Sequence, residues 1–249
     1  MARCTVTRPA TTSTAGASAQ AVYRARLEAT RTRRWALRGV LALVAGIAVW
    51  WLVGWHAAIV AAAVVAVADL VYRWRRHSST TAWRKGAAGE RATARRLRQL
   101  ELAGYTVLHD RAVPRSRANI DHVVIGPTGV YVVDSKKWHR RTTIKPGGGT
   151  LWVGRTPIAK VVGPVVFEAR AVAEALRRAT GRPVDVVTVV AVHGGRLPRW
   201  GAINAGGTTI LRASRVHGWI ARRPRKYAAE EVAMMAAAAE QALPAYVPQ

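Results

Sequence analysis

Acidic residues are scarce in this chain. Thirteen Asp and Glu stand against 39 Lys and Arg over 249 residues, a formal net charge of +26 and a pI near 11.8. A balance so far from zero excludes an ordinary neutral surface and points to an anionic partner, nucleic acid or anionic lipid. A composition heavy in Ala, Arg, Val and Gly accounts for part of that charge. Cysteine is nearly absent: Cys4 stands alone, so there is no disulfide framework and no Cys-based zinc site. The seven His are scattered, without an HxxxH pair or a Cys/His cluster. The GPTG stretch lacks the spacing and Lys of a P-loop, and no Ser sits in a nucleophile elbow. PGGGT, after a basic strand, reads as a hairpin loop. There is no internal repeat.

What is present falls into blocks. Residues 1–37 are rich in Ala, Thr, Ser and Arg and read as a disordered basic tail. Lys and Arg are then absent from 39 to 72, where Asp69 is the one acid. That run exceeds the roughly 20 apolar residues of one membrane-spanning helix and is short for two. Gly54-Trp55-His56 breaks it, so residues 38–73 are expected to form a transmembrane helical hairpin of two short arms, about 38–54 and 57–73. Arg31, Arg33, Arg34 and Arg38 precede it, and Arg73, Arg75 and Arg76 follow. The positive-inside rule then puts both ends in the cytoplasm, which an even number of spans delivers. The length of the apolar run and of the tail before it argues against a signal peptide. A buried helix pair in a soluble protein is the competing reading.

Residues 73–249 carry a net charge of +20. Here the spacing predicts a helix over 84–103 ended by Gly104, a strand over 105–110, a hairpin over 119–138, a second hairpin over 142–153 and a helix over 164–180 ended by Gly181. A buried strand over 184–192, a short strand over 208–211, a helix over 214–221 with Ser214 as N-cap, and a last helix over 227–243 follow. That order predicts an α/β fold, a mixed sheet flanked by helices.

The hairpin NIDHVVIGPTGVYVVDSKKW, residues 119–138, carries charges inside strand-forming text. A four-residue loop over 126–129 pairs Ile125 with Val130 and sets Asp121 opposite Asp134 on one face. Lys136, two residues on, shares that face. Opposed carboxylates repel unless something positive lies between them. Lys136 offsets part of this, and Mg²⁺ or Mn²⁺ would offset more. Glu90 sits on the apolar face of the 84–103 helix with Ala87, Ala94, Leu97 and Leu100, making it a third candidate ligand; Gly86 and Gly89 would let that helix approach the sheet. A half-exposed salt-bridge cluster is the plainer reading of the same residues.

At GAAGERATARRLRQL (86–100), NIDHVVIGPTGVYVVDSKKW (119–138) and, weakly, GPVVFEARAVAEAL (163–176), the chain resembles the nuclease-related domain family, NERD, over roughly 84–220. The family is related to the PD-(D/E)xK nucleases. The resemblance implies a restriction-endonuclease-like core over 84–222, with residues 223–249 as a C-terminal helix and tail. It implies Asp121, Asp134 and Lys136 as the catalytic triad, Glu90, Asp121 and Asp134 as metal ligands for Mg or Mn, and DNA or RNA as partner. His122 stands in the family's IDH triplet and, by strand alternation, faces away from Asp121, a place that is structural or helps order the loop. Two departures stand out. Asp134 replaces the usual Glu, and Phe167, with Glu168 next, stands where relatives carry Gln, leaving a polar group missing or displaced. The expectation is a bacterial inner-membrane protein with its soluble domain in the cytoplasm, a metal-dependent nuclease. The alternative is a non-catalytic nucleic-acid-binding or membrane-tethering module on the same fold.

Overall fold

The computed structural model describes residues 39–40, 43–44, 47, 51, 54–114, 116, 118–197 and 201–247. The chain divides into two compact units, one built on Gly86–Gln249 and the other on Ala19–Lys85.

In the latter, the described positions 39, 40, 43, 44, 47 and 51 are helical, while Gly54 is not and has φ +97°. Helix α1 then runs from Trp55 to Glu101. Its window Trp55–Tyr72 has a mean hydropathy of 1.8 with none of it buried, the one stretch among the described residues long and apolar enough to cross a membrane. Most of the first arm of the expected hairpin, like the tail over 1–37, lies outside the described residues. The break expected at Gly54 is present, and the helix expected over 84–103 forms the C-terminal part of α1. No Gly or Pro stands between 55 and 85, so nothing in the backbone chemistry ends the helix there.

The Gly86–Gln249 unit is built on a six-stranded mixed sheet in the order β1-β2-β3-β7-β9-β8. The strands are β1 (Thr106–Ala112), β2 (Asn119–Gly126), β3 (Gly129–Lys137), β7 (Val186–His193), β8 (Ile203–Ala205) and β9 (Thr208–Arg212). β1, β2 and β3 are antiparallel, β7 runs parallel to β3 and β9 parallel to β7, and β8 returns antiparallel on β9. The second predicted hairpin is real but stays out of this sheet: β4 (Ile144–Gly147), β5 (Thr150–Val153) and β6 (Thr156–Pro157) make a separate three-stranded sheet. Helices α2 (Ile158–Thr180), α3 (Val216–Ala221) and α4 (Ala229–Ala242) complete the unit.

Strand alternation sorts the core into two halves. Val123, Ile125, Val130, Val132, Val190 and Val192 pack with Val165, Val172 and Leu176 of α2 and with Val232, Met235 and Ala239 of α4. Val124, Tyr131, Val133, Val189 and Ala191 pack on the opposite face with Leu97 and Leu100 of α1 and Val216 and Ile220 of α3. β2 and β3 are buried on both faces, which is why they read as continuous apolar runs.

The terminators behave as their chemistry requires. Gly181 takes φ +71° and returns its N–H to Arg177 O, and Gly104 takes φ +81° after α1. α2 begins six residues earlier than its text suggests, leaving Pro164 inside its second turn. Ser214 is not an N-cap: it lies in a 3₁₀ turn (Ala213–Arg215) and α3 starts at Val216 without a side-chain cap.

Candidate functional site

The β2–β3 register is the one the turn predicts. Gly126 pairs with Gly129, Ile125 with Val130 and His122 with Val133. The turn itself tightens to two residues, Pro127 and Thr128, without shifting that register. The ladder stops one pair short of Asp121 and Asp134. There the Asp121 side chain takes over, with Oδ2 accepting from the Ser135 N–H at 2.9 Å. Lys136 Nζ donates to Asp134 Oδ1 at 2.8 Å. Asp134 is 6% exposed, and its other oxygen, Oδ2, is buried with no hydrogen-bond partner. By alternation from Val123 and Val132, all three side chains stand on the α2/α4 side of the sheet.

The remaining acids feel this pair. Burial first, then the charges of Asp110 and Asp134, push Glu90 up to about 7, against the pull of Lys136 and Arg91. Burial, then Asp134 and Glu90, hold Asp121 well above the carboxylate range despite the Ser135 N–H and Lys136. Burial opposes the Lys136 ammonium, but Asp134 and its hydrogen bond outweigh that and raise its pKa, with Asp121 and Glu168 adding to the effect. Glu90 is half-buried on the α1 face that buries Ala87, Ala94, Leu97 and Leu100, as its spacing predicts. Crowding does not demand the glycines before it. A Cβ at Gly86 would meet nothing within 4 Å, and one at Gly89 only ordinary contacts at 3.6 Å with His193 and Lys137.

Two further acids belong with this group, and the sequence alone points past both. Phe167 is 52% exposed, whereas Glu168 is 8% exposed, with Oε2 buried and unpartnered. Burial, then Asp134, raise Glu168 to about 8, while Lys136 lowers it. The polar position left open at Phe167 is thus occupied one residue later. The signal was there in helical phase, since Glu168 lies seven residues from Val161 and shares the buried face of Val165 and Val172. The second acid, Asp110, is buried on β1 between His109 and Arg111, which pair with His122 and Ile120, so it falls level with Asp121. Its backbone is left-handed, φ +52°, its carbonyl accepts from Tyr246 N–H at 2.9 Å and its Oδ1 accepts from Asn119 Nδ2 at 3.1 Å. Pairing β1 with β2 in the sequence would have found it.

Residues 85–193 match the sequence model of the nuclease-related domain family. The chain carries a NERD domain. The match covers α1 from Lys85 through β7, and so every side chain of the cluster. Over 57 residues the chain is also 42% identical to an uncharacterized protein of Bacillus anthracis, 22% of this chain and 27% of that protein. The chain therefore spans about a quarter of that relative's length in the match. No solved structure matches the chain.

For the divalent metal that a nuclease-like domain implies, the donor chemistry fits: every candidate donor is a carboxylate, the ligand class of hard divalent cations. Asp134 Oδ2 and Glu168 Oε2 are buried oxygens with no competing hydrogen-bond donor. Among the described residues, however, no three His, Cys, Asp or Glu groups are drawn into a metal-holding cluster. The NERD domain thus presents an acid-rich, lysine-bearing site with free carboxylate oxygens.

Proposed function

We propose that this protein is a membrane-anchored nuclease whose NERD domain hydrolyses phosphodiester bonds of DNA or RNA with Mg²⁺ or Mn²⁺. The observation that carries the reading is the pairing of Lys136 with one oxygen of Asp134 while the other oxygen stays buried and unbonded beside Asp121. A structural ion pair would satisfy both oxygens. In this proposal Asp121, Asp134 and Glu90 hold the cation. When bound, it polarises a phosphoryl oxygen and lowers the pKa of a water. Lys136, held by Asp134, orients that water or stabilises charge developing on the phosphate.

The anchor we propose is the two-span hairpin, with the NERD domain in the cytoplasm of a bacterium. The helical residues before Gly54, the unburied apolar window Trp55–Tyr72 and the flanking Arg residues support it. The purified full chain in detergent should nick DNA or RNA with Mg²⁺ or Mn²⁺, and Asp134→Ala should abolish this. Equal activity in the variant would mark a contaminant and end the assignment.

One observation favours a second reading. Lys136 already neutralises Asp134, and no metal-holding cluster is assembled among the described residues. On that reading the +26 charge serves a non-catalytic nucleic-acid-binding or tethering module.

A further inference from the structure

The residues flanking the acids in sequence form a second feature on the opposite side of the sheet. Ser135 Oγ bonds Thr93 Oγ1 at 2.8 Å and His122 Nε2 at 3.3 Å. His122 Nδ1 meets His109 Nδ1 at 2.8 Å, and Thr93 Oγ1 meets His193 Nε2 at 2.8 Å. Four hydrogen bonds thus link five side chains in one line. Thr93 and His122 are fully buried and Ser135 nearly so.

Each inner member neighbours an acid of the site. Thr93 lies three residues past Glu90 on α1, His122 follows Asp121 on β2, and Ser135 follows Asp134 on β3. At one end His109 precedes Asp110; at the other His193 pairs with Lys137. A strand alternates its side chains between faces, so Asp121 and Asp134 on one side place His122 and Ser135 on the other, where Thr93 of α1 meets them.

The proton inventory fixes a direction. A hydroxyl has one hydrogen, and Ser135 gives its own to Thr93, so Ser135 Oγ accepts from His122 Nε2–H. The neutral His122 ring then offers Nδ1 as acceptor to His109 Nδ1–H. Thr93 keeps its own hydrogen, which a His193 ring protonated at Nδ1 accepts at Nε2. His122 must be neutral for the line to close in this direction, as its complete burial favours.

We propose that Thr93, His122 and Ser135 are positioning residues, a single-direction hydrogen-bonded line from His109 to His193 that fixes the helix bearing Glu90 and the strands bearing Asp121 and Asp134 relative to one another. This rests on the reading of those acids as the reacting site. The line is local and needs no ligand, since Ser135 also supplies the N–H that holds Asp121 Oδ2.

The test uses the full chain in detergent micelles, labelled with ¹⁵N-histidine. His122 should show a protonated Nε2 and a bare Nδ1, and His109 and His193 a protonated Nδ1. Thr93→Val should keep the fold, shift the His122 and His193 ring signals and lower kcat on a nucleic-acid substrate by on the order of tenfold with KM unchanged, while Thr93→Ser restores both. Ser135→Ala should disturb the His122 ring in the same way, which covers a Thr93→Val chain that fails to fold. A His122 ring protonated at Nδ1, ring signals unmoved by both variants, or an unchanged kcat with the tautomers lost would overturn the proposal. If the wild-type chain cleaves nothing, the nuclease reading falls alone, and the tautomers still decide whether the line exists.

Discussion

Glu168→Gln isolates the electrostatic load on the site. In the wild type this carboxyl is 8% exposed, leaves Oε2 unbonded and faces Asp134. Burial and that like charge raise it from 4.5 to about 8. The folded state therefore holds the proton more tightly than the unfolded chain does. Its contribution is fully present below pH 4.5 and is lost as pH rises through about 8. At about 1.4 kcal/mol per pH unit, that window sets a ceiling near 5 kcal/mol, and relaxation around α2 should leave about 2–3 kcal/mol. An amide of the same shape cannot ionise. The variant should match the wild type within about 0.5 kcal/mol at pH 5 and exceed it by about 2–3 kcal/mol at pH 9.

The assay is denaturant unfolding of the full-length protein and its variant in EDTA, followed by circular dichroism at both pH values. Glu90, raised to about 7, titrates in the same window but is common to both proteins and cancels in the difference. A difference independent of pH would refute the reasoning. So would a variant less stable than wild type at pH 9, because it would mean that Glu168 is ionised and well paired in the folded protein.

Two other perturbations read the fold and the charge separately. Gly126→Ala would drive a Cβ into the Tyr105 ring, which cannot swing away because its hydroxyl is tied to Thr128 at 2.8 Å; a loss of about 3 kcal/mol in an unfolding titration is expected, and a neutral effect would show that the β2–β3 turn is packed differently. Asp121→Ala, in EDTA, should bind a DNA oligonucleotide at least as tightly as the wild type, since a carboxylate facing phosphate is removed, with log affinity falling linearly with log salt; weaker binding by the variant would show that Asp121 helps hold the strand without metal.

The hairpin was legible because its turn fixes its register and a register fixes faces. Glu90 was legible as the one acid on an apolar helical face. Asp110 and Glu168 were not. Asp110 needs the β1–β2 pairing, a relation across a six-residue loop that propensity does not set. Glu168 was passed over because Pro164 served as an anchor for motif spacing, whereas α2 takes its phase from Ile158 and buries Val161, Val165, Glu168 and Val172 together. The line from His109 to His193 was invisible for a different reason: His122 could be placed away from Asp121 by alternation, but its partners come from α1, β1, β3 and β7, and only the packing of α1 on the sheet brings them together.

The balance of charge within the site favours a functional over a structural origin. A salt-bridge cluster kept for stability would match its charges, since an unpaired buried carboxylate costs more than a good pair returns. Here Asp121, Asp134 and Glu168 share Lys136 as their cation, and Glu90 adds only Arg91. Three of these acids are raised, Glu90 to about 7, Glu168 to about 8 and Asp121 well above its usual range. At neutral pH the fold alone therefore gains little from this arrangement, while a hydrogen-bonded line behind it holds the same backbone in place. Strain concentrated at one place and braced from the other side of the sheet is what selection for a site, rather than for stability, leaves behind. On the proposed reading, a cation that the carboxylates share and that a phosphodiester can also bind would relieve this crowding and let the acids ionise.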